Sequence, residues 1–340
     1  MVKSLSIERK LLNPLPLFIN DMMEKERLLR IVETIFKGTG FKVARMEFKG
    51  SCFDLVASRL FLLLFVKVLQ NIDSFTEEQA EDLKRLAKLF GASPLIVGLK
   101  SKNEELEEGV VYERHGIYAL NPQTLYDILV ENELPAIFAE RGGFYVRVNG
   151  EYLRELRERH GYSVGELAEL LGVSRKSLQN YEKGEQAMSL EVALRLEELF
   201  DAPVAKPIDV LNARVEAKME VEPETDLERE VFKRLEEFGM GVIKIKKAPF
   251  DAISKEGGVK ILTGISERKT LSTVKRAQIV DEVSKIIQSD GLFILERTKT
   301  EVVGEIPLIP KEKLNEIRDA DELIEMIEEL KNEIKRKIFS

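Results

Sequence analysis

Residues 163–184 read Ser-Val-Gly-Glu-Leu-Ala-Glu-Leu-Leu-Gly-Val-Ser-Arg-Lys-Ser-Leu-Gln-Asn-Tyr-Glu-Lys-Gly, and two helices joined by a tight turn are legible in them. Ser163 and Glu166 stand at the spacing at which each side chain satisfies an amide of the other, so a helix is expected to start there. Leu167, Ala168 and Leu171 then share a face; the small Ala168 permits close helix approach, and Gly172 turns the chain where a side chain would clash. Ser174 caps the next helix. At about 100° per residue from Arg175, Leu178 and Tyr181 fall on one face and are expected in a core. Lys176, Gln179, Asn180 and Lys183 fall on the opposite face, with Arg175 and Ser177 at its margins. Upstream, Tyr152 to Arg159 reads as a further helix ended by Gly161. Amides such as Gln179 and Asn180 can grip an adenine edge with two hydrogen bonds, and Lys176 or Arg175 can bond guanine or phosphate.

Leu171-Gly172-Val173-Ser174 followed by Leu178, Tyr181 and Gly184 resembles the motif of the Cro and lambda-repressor, or xenobiotic-response-element, helix-turn-helix family. The resemblance covers about fifty residues, 151 to 200. It implies that the helix after Ser174 enters the major groove of double-stranded DNA, and that homodimers read palindromic half-sites about one helical turn apart. The DNA-binding set it implies is Ser163, Ser174, Arg175, Lys176, Ser177, Gln179, Asn180 and Lys183. The whole layout is similar to a group of archaeal helix-turn-helix transcriptional regulators of like length. Two plainer readings stand beside this one: the polar face is merely the solvated side of a small bundle, or the motif serves protein contact. From Arg147 to Gly184 there are seven basic and six acidic residues, less positive than most DNA readers.

The chain of 340 residues carries 52 Lys and Arg against 60 Asp and Glu, a net charge of −8. Non-specific coating of nucleic acid is therefore disfavoured, and any DNA contact must be local. Lys and Glu abundance with sparse Asn and Gln is a thermophile-like bias. Cys52 is the single cysteine, and His115 and His160 lack metal-ligand companions, so neither a disulfide framework nor a zinc site is expected. The longest apolar run, Leu60 to Leu69, is half a membrane span and contains Lys67, which suits a buried strand. The opening MVKSLSIERK lacks a secretory apolar region, so a cytoplasmic location is expected. No phosphate-cradling glycine loop is present, and no cofactor is expected.

The flanks change period. A helix is expected from Asp21 to Phe36, strands over Phe41 to Phe48, Phe53 to Ala57 and Leu60 to Leu69, a helix capped by Thr76 and ending at Phe90, a strand over Pro94 to Leu99, two short strands around His115-Gly116, and a helix opened by Asn121-Pro122. Asp201 to Thr225, with Pro203, Pro207 and Pro223, reads as a linker or arm. Lys206, Arg214 and Lys218 there could reach phosphates, although a solvated charge run is the plainer reading. After it the first order returns: helix Leu227 to Phe238, strands Val242 to Ile245, Phe250 to Ile253 and Val259 to Ile265, helix Leu271 to Gln288, strand Leu292 to Leu295. Phe53-Asp54-Leu55-Val56-Ala57 and Phe250-Asp251-Ala252-Ile253-Ser254 occupy the same place, which implies a diverged internal repeat. The expected fold is α/β plus all-α: related α/β domains at 1–140 and 226–340, a five-helix-type lambda-repressor-like domain at 141–205, and a linker at 206–225.

The repeat's order resembles the core of restriction-endonuclease-like and Holliday-junction-resolvase-like nucleases. Such enzymes hold Mg²⁺ between an Asp ending the second strand and an acid two residues before a Lys on the third, because two carboxylates are needed beside the scissile phosphate. Asp54 and Lys67 fit two of these places, but the second acid is Phe65. Asp251 fits in the second copy, where Thr263, Ile265 and an early Lys260 leave no acid-and-lysine pair. Asp54, Lys67 and Asp251 are thus vestigial candidates; no enzyme activity and no metal are expected, and the domains are read as dimerisation modules with a possible ligand pocket near Asp54 and Lys67. The rivals are a Mg²⁺-dependent nuclease guided by its helix-turn-helix and a factor acting through protein contacts.

Overall fold

The computed structural model describes residues 21–338, and every count of structural elements is of those residues. The opening segment read against secretion lies outside them. The first unit runs α1 (Asp21–Gly38), β1 (Lys42–Arg45), β2 (Leu55–Arg59), β3 (Leu62–Asn71), α2 (Glu77–Phe90), β4 (Ser93–Ser101), β5 (Glu104–Glu105), β6 (Val110–Arg114), β7 (Ile117–Leu120) and α3 (Pro122–Tyr126), which widens into a π turn at Asp127–Glu131. Leu28, Leu29, Val32 and Phe36 recur at helical spacing on α1 and are buried against the sheet. Thr76 and Gln79 form a capping box for α2, and Gly91 ends it in the left-handed conformation. β3 is apolar on both faces because it lies inside the sheet, antiparallel to β2 and parallel to β4. Leu60 and Phe61 are not in it. Arg59 pairs with Leu62, so those two residues form the hairpin tip and stand in solvent.

The middle unit contains β8 (Ile137–Glu140), β9 (Gly143–Val146), α4 (Gly150–Arg159), α5 (Val164–Leu171), α6 (Arg175–Lys183), β10 (Met188–Ser189) and α7 (Leu190–Phe200). The expected boundary at 140 falls inside the β8–β9 hairpin, which Gly142 and Gly143 turn. β8 pairs in parallel with β6 and β9 pairs with β10, so one sheet, ordered β1-β2-β3-β4-β7-β6-β8-β9-β10, runs from the first unit into the helical one. Four helices are present where five were expected. Asp201 closes α7 at φ 48°, and Pro203 and Pro207 keep the next stretch of chain extended. The expected linker is a packed strap: Ile208 and Val210 are buried in the first unit's core, and Arg85 Nε donates to the Lys218 carbonyl at 2.6 Å.

The third unit comprises α8 (Asp226–Glu237), β11 (Gly241–Lys244), β12 (Ala252–Glu256), β13 (Val259–Arg268), α9 (Leu271–Ile287), β14 (Asp290–Arg297), β15 (Glu301–Val303), β16 (Ile306–Pro310) and α10 (Ala320–Ile338). Its order β11-β12-β13-β14-β16-β15 copies β1-β2-β3-β4-β7-β6, with parallel and antiparallel pairings in the same places. The internal repeat is therefore real at the level of topology. Its two copies are packed on each other. Phe53, Phe65 and Phe75 share a core with Phe250, Phe293 and Val283, and α9 lies across β1 and β2. Polar seams complete the contact: Cys52 N donates to the Lys247 carbonyl at 2.7 Å, and the Asp82 carboxylate on α2 accepts from the amides of Lys246 and Lys247 at 2.8 and 2.7 Å. No helix among the described residues is long and apolar enough to cross a membrane.

Candidate nucleic-acid interface

The helix-turn-helix is built from local signals that all agree. The Ser163 hydroxyl accepts from Glu166 N, the Glu166 carboxylate accepts from Ser163 N, and Gly172 ends α5 at φ 70°. The Ser174 hydroxyl caps α6 through Ser177 N, and Gly184 ends it, also at φ 70°. Leu167, Ala168, Leu171, Leu178 and Tyr181 are buried together, as the face counting expects. Lys176, Gln179 and Lys183 are exposed and Asn180 is half-exposed, its amide donating to Gln186 Oε1 at 3.3 Å. Arg175 folds back over Gly165, where an added Cβ would lie 3.0 Å from its guanidinium. Ser163 and Ser174 are exposed but engaged as caps, so any backbone contact they make is shared with that role.

Two residues that fix the reading helix are not evident from its pattern. Glu182 counts as polar yet is buried, because Arg157 of α4 holds its carboxylate with Nε at 2.5 Å and Nη2 at 3.2 Å. That partner also raises the Arg157 pKa. Gly150 opens α4 where an added Cβ would meet the Glu182 carbonyl at 2.4 Å, so the helices approach at backbone distance. The Gln186 contact to Asn180 was likewise missed. Its spacing of six residues, across the glycine that ends α6, gives no periodic cue.

In the nuclease-like units Asp54 and Asp251 each meet cations. One Asp54 oxygen accepts from Lys25 Nζ at 2.9 Å; the other lies 3.1 Å from Lys67 Nζ and accepts from Val68 N at 2.9 Å. Burial lowers the Lys67 pKa while Asp54 counters it, and its ammonium also donates to the Ser51 carbonyl at 2.6 Å. Phe65 is buried in the inter-unit core. Among the described residues this donor set does not fit a divalent cation: Asp54 is its one carboxylate, and two ammonium groups already hold it.

The second copy repeats the backbone. Asp54 N to Val66 O and Asp251 N to Thr263 O both measure 2.8 Å, and Asp251 accepts from Ile265 N as Asp54 does from Val68 N. By this register Gly264 takes the place of Lys67 and Leu262 that of Phe65. A side chain at Gly264 is blocked, since its Cβ would lie 2.4 Å from the Phe293 ring. The cation comes instead from α9, where Arg276 binds Asp251 and donates to the Pro249 carbonyl at 2.8 Å. Burial raises the Asp251 pKa against that Arg276 charge.

Comparison with known proteins agrees with this division. A PD-(D/E)XK superfamily domain matches residues 25–135 and a helix-turn-helix domain matches residues 153–206. A Thermococcus kodakarensis protein named "Putative HTH-type transcriptional regulatory protein" is 70% identical over 318 residues, covering 94% of this chain and all of that one. A protein of the same name from Methanothermobacter thermautotrophicus is 36% identical over 315 residues, covering 91% and 98%. The chain belongs to this archaeal HTH-type regulatory family. Among solved structures, a restriction-modification controller protein of Aeromonas hydrophila is 38% identical over 15% of this regulator and 79% of its own chain, with a TM-score of 0.15.

Proposed function

We propose that this regulator binds double-stranded DNA as a homodimer on a palindromic operator, with α6 in the major groove, and represses by occluding the promoter. The observation that carries the reading is the division of α6: Leu178, Tyr181 and Glu182 are locked into the domain while Lys176, Gln179 and Lys183 face solvent. The acidic chain makes that small face, doubled by a second copy, the route to affinity. A gel shift with its own promoter tests this. Gln179→Ala with Asn180→Ala should weaken specific binding by about 1–3 kcal/mol per lost bidentate base contact; unchanged selectivity would show that α6 is not the reader. Sedimentation of the complex should give two chains per operator.

The nuclease-like units are proposed to be without cleavage chemistry, supported by the two lysines on Asp54 and by Phe65 at the second acid's place. Incubation of supercoiled and branched DNA with Mg²⁺ should leave both intact. Cleavage abolished by Asp54→Ala would overturn this part of the reading. Because α2 and α9 are consumed in pairing the two units of one chain, the second copy must be met through another surface.

A further inference from the structure

Where the first unit, the helix-turn-helix and the strap meet, a cavity of about 270 Å³ opens between Pro94, Tyr118, Arg147, Lys206 and Arg214. A recess of about 110 Å³ adjoins it, sharing Glu113, Tyr118, Arg147 and Ile208 and lined further by Val111 and Phe138. Two separate segments supply the cations: Arg147 follows β9, while Lys206 and Arg214 stand at two places on the strap. Arg147 and Lys206 have no carboxylate partner among the described residues; the Arg147 guanidinium lies 5.1 Å over the Phe138 ring. Arg214 donates once, to the Gly91 carbonyl at 2.8 Å. The acids on the cavity wall are Glu113 and Asp209, Glu140 stands with Glu113 at the recess, and Asp209 is already committed to Asn212 N and Nδ2 at 3.2 and 2.8 Å. In a chain of net charge −8, three solvent-facing cations converging over an aromatic recess, without a carboxylate ion pair of their own among the described residues, make a local site suited to an anionic head on a flat body.

We infer that this seam binds a small anion, a phosphate or carboxylate head on a flat apolar body, and that its occupancy sets how the helix-turn-helix is held against the first unit. The head is met by Arg147, Lys206 and Arg214, and the body by Tyr118 and Phe138. Arg147 lies two residues before Asn149, the N-cap of α4, and its carbonyl accepts from Lys206 N at 2.7 Å. An anion bridging Arg147 to the strap therefore acts on the lead-in to the DNA-binding domain. The regulatory consequence rests on the proposed DNA reading; binding of the anion does not.

Phenyl phosphate and inorganic phosphate are suitable probes, titrated calorimetrically into the full chain without DNA. Phenyl phosphate should bind at a single site and more tightly than inorganic phosphate. Lys206→Ala and Arg147→Gln, both exposed positions, should each weaken it about tenfold or more with the thermal midpoint of the free protein unchanged. Saturating phenyl phosphate should then shift operator affinity in wild type and not in either variant. Absence of a saturable site, or binding indifferent to both substitutions, overturns the inference while leaving the DNA reading intact. So does weakened DNA binding by the variants with no phenyl phosphate site, which would assign the cations to the DNA backbone. Anion binding in a protein that selects no DNA sequence would instead sink the DNA reading and spare the site.

Discussion

Lys67 and Lys25 hold the same carboxylate under different conditions. Lys67 is 3% exposed, so removing its nitrogen leaves the Ser51 carbonyl and one Asp54 oxygen without that hydrogen-bond partner in the interior; Lys67→Met should cost about 3 kcal/mol of unfolding free energy. The Lys25 ammonium is over a third exposed, and Lys25→Met should cost less than about 1 kcal/mol in the same urea titration. Because burial lowers the Lys67 pKa in the folded state, the unfolded chain binds the extra proton between that pKa and the ordinary lysine value of about 10.4. Wild-type stability should therefore gain a rising contribution with pH across that window, absent in Lys67→Met. Cys52 illustrates burial acting on a thiol. Fully buried beside Lys247, its thiol is pushed well above its usual pKa, so a thiol reagent should label it only on unfolding.

Elements show where sequence pattern is a sufficient guide. α5 and α6 were legible to the residue at their starts because Ser163, Glu166, Ser174 and the two terminal glycines each dictate one local bond or one dihedral. The nuclease-like order was legible because burial on both faces gives β3 an apolar run from Leu62 to Leu69 interrupted by Lys67 alone. What escaped was set by tertiary contact: nothing in the spacing of α6 marks Glu182 as buried, because its partner is on another helix, and the strap reads as a linker or arm because Ile208 and Val210 bury at alternate positions between prolines. The β2–β3 hairpin escaped for a local reason. Leu60 adopts φ 53°, where its counterpart in the repeat is Gly257 at φ 54°, so an apolar run continues through a turn that glycine would normally mark. Leu60→Asn should relieve the strain and raise stability by up to about 1 kcal/mol. Gly150→Ala should do the opposite: the Glu182 carbonyl is backbone and cannot swing aside, so α4 and α6 must separate, costing about 1–3 kcal/mol and specific DNA binding with it.

At the scale of the whole molecule, two copies of one α/β unit pair within a single chain, and the helical domain is fastened to the first of them through β8, β9 and β10. Asp82 is the polar key of that pairing. It is fully buried on α2, its Oδ2 accepting the amides of Lys246 and Lys247 and its Oδ1 bonding Arg85 Nη1 at 2.5 Å. Asp82→Ala strips two amides of the third unit and one guanidinium of the first at once, which should cost about 3–5 kcal/mol. That loss falls on the contact between units rather than on either sheet. Calorimetry should therefore show one cooperative transition in wild type and two in Asp82→Ala, the earlier one belonging to the third unit. Below the earlier transition, operator binding should be retained, since α6 is anchored through the first unit and not the third. A single transition displaced as a whole would mean that the two units share one folding core even without this link, and that the extensive apolar contact among Phe53, Phe65, Phe250 and Phe293 suffices to couple them.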